Sequence, residues 1–348
     1  MKERNYGIDL LRLVLMFMVC ILHTLGQGGI LKACEESSLQ FKVYWFIELL
    51  AYCAVDGFGL ISGYTASDRL QKYNKLVEMW FQVLFYSFIV TVLFVMAGKY
   101  TIDIKGLIHS IFPVTYTKFW YFTAYFALFF TIPVLNKFLF SINDVLAKRY
   151  LIIFVFLYSV LGMIDDPFKT FNGYSTIWLM VLYCIGVLVN RTHLFEKRSS
   201  VSLIIIWGCC IIVTWGLKVF IGIGRLINYV SPTILLSGII MIILFSRLHP
   251  NPKVIKVLSP LAFGIYLFQL NTVIWERIIK DAFVNVLSMN ILIGIMLVFG
   301  YSSLIFLCGM IVEYVRSKLA ELIRIPILSK KIVSLFELII SKLLILFE

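Results

Sequence analysis

Long apolar runs alternate with short polar stretches from one end of this chain to the other. The runs lie near 10–31, 43–66, 77–98, 119–140, 150–165, 175–190, 200–222, 229–246, 257–275 and 288–312. A helix needs about 20 mainly apolar residues to cross the hydrocarbon core of a bilayer, so the pattern predicts an all-α, polytopic transmembrane bundle of about ten spans. The polar stretches between runs are too short to form a soluble domain, and any substrate must be bound by the bundle itself. The longest outer stretch, 99–118, holds Asp103, His109 and Pro113 and is expected to cover an outward-facing cavity. Asp165, Asp166 and Pro167 mark a tight outer turn. Beyond 316 the pattern changes: Lys331, Ser334, Glu337, Ser341 and Lys342 recur at helical spacing among Ile, Leu and Phe. That spacing predicts an amphipathic helix on the cytoplasmic surface in preference to an eleventh span. The chain therefore divides into a membrane domain, 1–316, and a tail, 317–348.

Composition strengthens this reading. Of 348 residues, 61% are hydrophobic and 14% are charged, whereas soluble domains carry about 25% charged residues. The net charge of +12 raises nucleic-acid binding as an option, but the distribution of the cations explains it better. With loops assigned to alternate sides, 20 Lys and Arg fall on the side of the N-terminus and 9 on the other. Basic residues concentrate in cytoplasmic loops, so both termini are expected in the cytoplasm, the membrane is the inner one, and nucleic acid is excluded as a partner. Six of the seven cysteines fall within runs and only Cys34 in a loop, which fits packing residues better than a disulfide framework or a metal site. The first run is too long for a signal peptide, contains His23 and lacks a small-residue cleavage site. No internal repeat is evident, against an inverted-repeat transporter.

Ionisable groups inside apolar runs are costly and mark function. The first run reads Gly7-Ile8-Asp9-Leu10-Leu11-Arg12, then ten residues, then His23. At 100° per residue His23 falls within about 20° of Arg12 and about 40° of Asp9, with Arg12 and His23 roughly 16 Å apart along the axis. One face thus carries a cation at the cytoplasmic edge and an imidazole deep in the bilayer. An interfacial charge pair plus a histidine bonded to a neighbouring helix explains the same spacing. The second run carries Glu48 and Asp56, either of which can orient or charge the imidazole, followed by Gly57, Gly59 and Gly63, which permit close helix packing. Arg69 and Lys72 lie just beyond it and suit either phosphate binding or topology. Lys218 is expected to snorkel to the interface, and Asn271 to bond a neighbouring helix.

These pieces resemble the membrane acyltransferase-3 family in order. Gly-Ile-Asp-Leu-Leu-Arg, ten residues, His is similar to its first span, and Asp56 to Tyr64, ending Ile-Ser-Gly-Tyr, to its second. Phe119-Trp120-Tyr121-Phe122 with Pro133-Val134-Leu135-Asn136 is similar to its fourth, and Ala262-Phe263-Gly264-Ile265-Tyr266-Leu267 to its ninth. The resemblance covers residues 4 to about 315 and implies a transferase that moves acyl groups, usually acetyl from cytoplasmic acetyl-CoA, onto hydroxyls of surface glycans or their lipid-linked precursors. It implies no bound cofactor, with acyl-CoA as co-substrate and envelope-polysaccharide machinery as a partner. It implies His23 as the catalytic histidine, with Glu48 or Asp56 beside it. Arg12, Arg69, Lys72, Ser62 and Tyr64 would then serve the acyl donor, with Asp9, Trp120, Tyr121 and Glu313 as further site residues. Three positions depart from the pattern. Lys72 stands where the family has a second arginine and lacks its bidentate fork; Gln269 stands where many members have a histidine and cannot act as a base; and Glu313 lacks the proline that usually follows it. Outer aromatics such as Trp45, Tyr116 and Trp120 suit stacking on sugar rings or interfacial anchoring. The competing readings are a transport or export subunit in which His23, Glu48 and Asp56 form a proton or solute path, and an inactive scaffold in an envelope assembly.

Overall fold

The computed structural model describes residues 4–67 and 72–345, and in these the chain is helical without strands. Seven helices are long and apolar enough to cross a membrane: α1 (Tyr6–Ala33), α2 (Leu39–Tyr64), α3 (Tyr73–Met96), α5 (Trp120–Ser141), α6 (Asp144–Asp165), α8 (Ser200–Ile221) and α12 (Ile291–Leu322). Short α4 (Ile104–Ile111) lies in the 99–118 stretch, and α7 (Thr176–Arg191) and α9 (Pro232–Ser246) are apolar but shorter. An eighth crossing segment is a broken pair, α10 (Pro252–Gln269) and α11 (Thr272–Ser288), bent by 61°. A last helix, α13 (Ile325–Ile345), follows Arg324, whose φ of 61° breaks the run from α12. Starts are fixed by side chains that accept from orphan backbone N–H groups: Asn5 from Ile8, Ser38 from Phe41, Asn143 from Leu146, Ser175 from Trp178 and Asn290 from Ile293.

Each predicted run coincides with one of these elements. The ten-span count then depends on α7 and α9, of 16 and 15 residues, which fall short of the ~20 a lipid-facing helix needs. Their surroundings differ from those of the longer helices. Eleven residues of α7, from Trp178 to Val189, are buried, and so are nine of α9. Most of each helix is packed against protein, whereas α8 leaves Ile204, Ile205, Ile212 and Val213 exposed in the way a lipid-facing helix does.

The contact between α2 and α7 depends on glycine. A Cβ on Gly186 would stand 2.8 Å from Tyr64 N and 3.1 Å from Gly63 Cα, and one on Gly63 would stand 2.9 Å from Val187 N. Backbone meets backbone here, and Asn190 Nδ2 donates to Tyr64 O at 2.5 Å beside it. A side chain at Gly186 cannot be absorbed by a rotamer change. We expect Gly186→Val to lower stability by about 1–3 kcal/mol or more through overpacking, read as a drop in the midpoint of thermal aggregation in detergent; an unchanged midpoint would mean the helices separate freely.

The loops differ from expectation in detail. Residues 99–118 are not among those lining the large cavity described below; Asp103 caps α4 by accepting from Gly106 N at 2.8 Å, and His109 stacks on Tyr116 at 3.8 Å. The tight turn forms as expected: Asp166 takes φ 43° and accepts from Thr170 N, Thr170 Oγ1 and Phe171 N at 2.5–2.7 Å. These bonds hold its carboxyl below the usual carboxylate range against the opposing effect of desolvation. Lys218 sits over the rings of Phe41 and Trp45. Helix α12 continues to Leu322, past the expected boundary at 316, and α13 packs against the first half of α3.

Candidate functional site

The site is built where two helices lose their regular winding. Helix α1 passes into a π-helical turn at His23–Gln27 and then into Gly28 and Gly29, the latter at φ 89°. Single π turns within α-helices are frequent at functional sites, because the extra residue redirects a side chain. The turn is held by two backbone bonds from the α11 segment, Asp281 N to Gln27 O and Phe283 N to Gly28 O, both 3.0 Å.

The second irregularity is the break between α10 and α11, where a single apolar run reads as one straight helix. Asn271 explains it. Its Oδ1 accepts from Val273 N and Ile274 N, starting α11 afresh, while its Nδ2 donates to Tyr86 O at 2.6 Å and to Thr91 Oγ1 at 3.2 Å on α3. The expected bond to a neighbouring helix is present and fixes the bend as well. The bend brings two side chains onto His23 from different helices. Gln269, the last residue of α10, places Oε1 2.9 Å from His23 Nδ1, and Trp275 on α11 meets the imidazole edge to face at 5.5 Å. Gln269 is fully buried. Its role was not legible in the sequence, which showed only that a base was missing at 269.

His23 lines a cavity of about 1160 Å³. At one end of the bundle its walls include Arg12, Ser67, Lys72, Lys75, Asn136 and Ser259; at the other they include Gln27, Lys32, Trp45, Tyr174, Ile227 and Tyr229. One space thus reaches the loops at both ends, with His23 between them. Arg12 is ion-paired to Asp9, which is buried and also accepts from Arg4 at 2.5 Å. One carboxylate between two guanidinium groups leaves positive charge over, and Lys72 adds to it at that end, whereas Lys75 is ion-paired to Glu78 at 2.7 Å. The opposite end is aromatic: Tyr52 meets Tyr229 at 5.0 Å, Tyr229 meets Tyr174 at 5.1 Å, and Tyr174 meets Trp120 at 4.8 Å.

The two acidic candidates occupy different places. Glu48 lines the cavity; its Oε1 lies against Gly26, where a Cβ would stand 3.6 Å away, and its Oε2 is buried without a hydrogen-bond partner among the described residues. Asp56 is fully buried outside the lining, with Oδ1 accepting from Trp178 Nε1 at 3.0 Å and Oδ2 without a partner among the described residues. Neither carboxylate bonds to His23; Gln269 does. Ser62, Trp120 and Tyr121 line the cavity, while Tyr64 lies outside the lining and uses its carbonyl to accept from Asn190. Arg69 lies outside the described residues. Glu313 lies outside the lining, buried in a network with Arg316, Gln82 and Tyr86.

A family model described as an acyltransferase domain matches residues 5–314. No curated protein and no solved structure matches the chain.

Proposed function

We propose, from the premise that this chain belongs to the acyltransferase-3 family and is a multi-pass membrane acyltransferase, that it moves acetyl from cytoplasmic acyl-CoA to a hydroxyl of a surface glycan or of its lipid-linked precursor. The observation that carries this reading is the single cavity, basic at one end and aromatic at the other, with an imidazole between them. An inner-membrane location, about ten spans and cytoplasmic termini complete the proposal; they put the basic end in the cytoplasm, in keeping with the excess of Lys and Arg on that side.

The chemistry follows from the groups present. Arg12 and Lys72 hold the phosphates of the donor by charge-assisted hydrogen bonds, and the thioester arm reaches toward His23. Sugar rings rest on the aromatic wall, whose faces suit their C–H groups. The imidazole takes the proton of the acceptor hydroxyl as its oxygen attacks the thioester carbonyl; the C–S bond breaks, and the thiolate leaves with that proton as free thiol. In a two-step version the imidazole itself takes the acyl group, expels the thiol and passes the acyl group to the hydroxyl. Glu48, with an oxygen free beside the cavity, faces the acceptor or the imidazolium.

The test uses the purified chain in sealed liposomes, labelled acetyl-CoA on the basic side and an oligosaccharide on the other. Label on the oligosaccharide, removable by mild base, is the expected result; solute or proton movement with no release of free CoA would replace it with the transport reading. In the same assay Arg12→Ala should raise the donor KM about tenfold, since a hydrogen bond to a charged group contributes about 1.5–3 kcal/mol and about 1.4 kcal/mol is tenfold. A KM that stays put would remove Arg12 from the donor site.

A further inference from the structure

We infer that Gln269 is the positioning residue of the reactive imidazole: it fixes His23 in the tautomer protonated on Nδ1 and leaves Nε2 as the nitrogen that takes the proton or the acyl group. The inference rests on the reading of His23 given above and adds the residue that sets which of its nitrogens reacts.

The two ring nitrogens of a neutral imidazole are a donor and an acceptor, and the partner of one decides the role of the other. His23 Nδ1 lies 2.9 Å from Gln269 Oε1. Which end of the Gln269 amide faces His23 follows from its other neighbours. Its Nε2 points to Met16 Sδ at 3.7 Å, with the Cys20 thiol also in reach. The Cys20 thiol can donate or accept and serves either end of the amide; the Met16 thioether has no proton to offer and can only accept, so it is Met16 that places the amide nitrogen on that side and the carbonyl oxygen on the histidine side. A carbonyl oxygen only accepts; His23 Nδ1 must therefore carry the proton. Nε2 is then bare, has no hydrogen-bond partner among the described residues, and belongs to a side chain that lines the cavity.

Gln269 is itself held in place. It is fully buried, ends α10 at the bend, and is followed two residues later by Asn271, whose four hydrogen bonds lock that bend to α3. Trp275 packs against the imidazole at 5.5 Å with the two ring planes nearly perpendicular. The ring therefore meets a fixed acceptor on Nδ1 and a wall on its flank, and its rotation is confined. This accounts for an amide at a position where a base is not needed: a carboxamide supplies the acceptor with no charge of its own to desolvate.

The experiment compares Gln269→Met, which keeps the length and bulk of the side chain and removes the acceptor, with Gln269→Glu, which keeps an oxygen there. Two readouts are taken on each purified full-length variant. The first is the nitrogen-15 spectrum of labelled histidine, with the His23 signals assigned by their loss in His23→Ala. The second is transfer kinetics with acetyl-CoA. We expect Nδ1-protonated His23 in the parent chain and in Gln269→Glu, and loss of that preference in Gln269→Met. Turnover should fall about 10²-fold in Gln269→Met and recover at least tenfold in Gln269→Glu, with the donor KM within about twofold throughout; wrong-tautomer and lost-orienting-partner effects elsewhere span about 10–10⁴-fold. A parent His23 protonated on Nε2 overturns the inference, and so does full turnover in Gln269→Met with loss in Gln269→Glu, the pattern of a packing role. A tautomer switch in Gln269→Met in a chain that transfers no acyl group would uphold the positioning role and overturn the reaction assigned to the site.

Discussion

Replacing His23 by alanine should reduce O-acetyl on surface polysaccharide to background while the protein remains in the membrane at its usual level. The expected loss in transfer rate is about 10²–10⁴-fold, the range of a general base, and larger if the imidazole carries the acyl group. The structure separates this loss from a folding defect. Among the described residues, the His23 side chain makes one hydrogen bond, to Gln269, and one edge contact, to Trp275. It faces a cavity already present, so truncation widens that space without opening a new void in packed core. What remains is the Gln269 carbonyl deprived of its donor, a loss of about 1–3 kcal/mol when such a group stays unpaired and buried, and the cavity beside it can admit water. Acetyl released by mild base from cells expressing either chain at matched levels gives the answer. Equal release would remove His23 as the centre of the reaction, and Glu48, the other polar group facing the cavity with a free oxygen, would be examined next.

The residues that sequence patterns revealed and those they hid differ for a physical reason. Ionisable groups within apolar runs are conspicuous, because lipid penalises them wherever they point; Arg12, His23 and Glu48 were legible in this way, and all three line one cavity. Direction was less legible. Asp56, only eight residues from Glu48 in the same helix, turns instead to the Trp178 indole outside the lining, a difference that depends on the kink at Tyr52 and Cys53 and on where α7 packs. Gln269 was visible only as a departure from a pattern. Its contact with His23 spans 246 residues of chain and depends on a 61° bend that Asn271 creates. No periodicity carries such information. The same holds for length: the runs that became α7 and α9 read like the others, but the burial of most of their residues follows from tertiary packing alone. The glycines were the opposite case, since Gly63 predicted a close backbone approach and Gly186 supplies the other half of it.

Glu313 provides the second large effect, and it should appear in stability before it appears in chemistry. Its carboxylate is 2% exposed and every acceptor site is used. Oε1 accepts from Arg316 at 2.7 Å and Gln82 at 3.0 Å; Oε2 accepts from the other arm of Arg316 and from Tyr86 at 2.9 Å each. A two-pronged guanidinium pair of this kind gains from fixed geometry as well as charge. The same carboxylate fills the space left by Gly264, where any Cβ would overlap it. Helices α3, α10 and α12 are thereby joined at one point. Removing one partner of a buried ion pair leaves the other charge without compensation, and such losses run to about 3–5 kcal/mol. Here Glu313→Ala would strand the Arg316 guanidinium, the Gln82 amide and the Tyr86 hydroxyl together. We expect Glu313→Ala to lose most folded protein in detergent, Glu313→Gln to lose less because it still accepts, and a double variant with Arg316→Met to regain part of the loss by removing the stranded charge. Partial recovery of the thermal midpoint in the double variant, with acyl transfer recovering in proportion to folded protein, is the signature of a structural joint. A Glu313→Gln chain with an unchanged midpoint and no transfer would instead place this carboxylate in the reaction, although it lies outside the cavity lining.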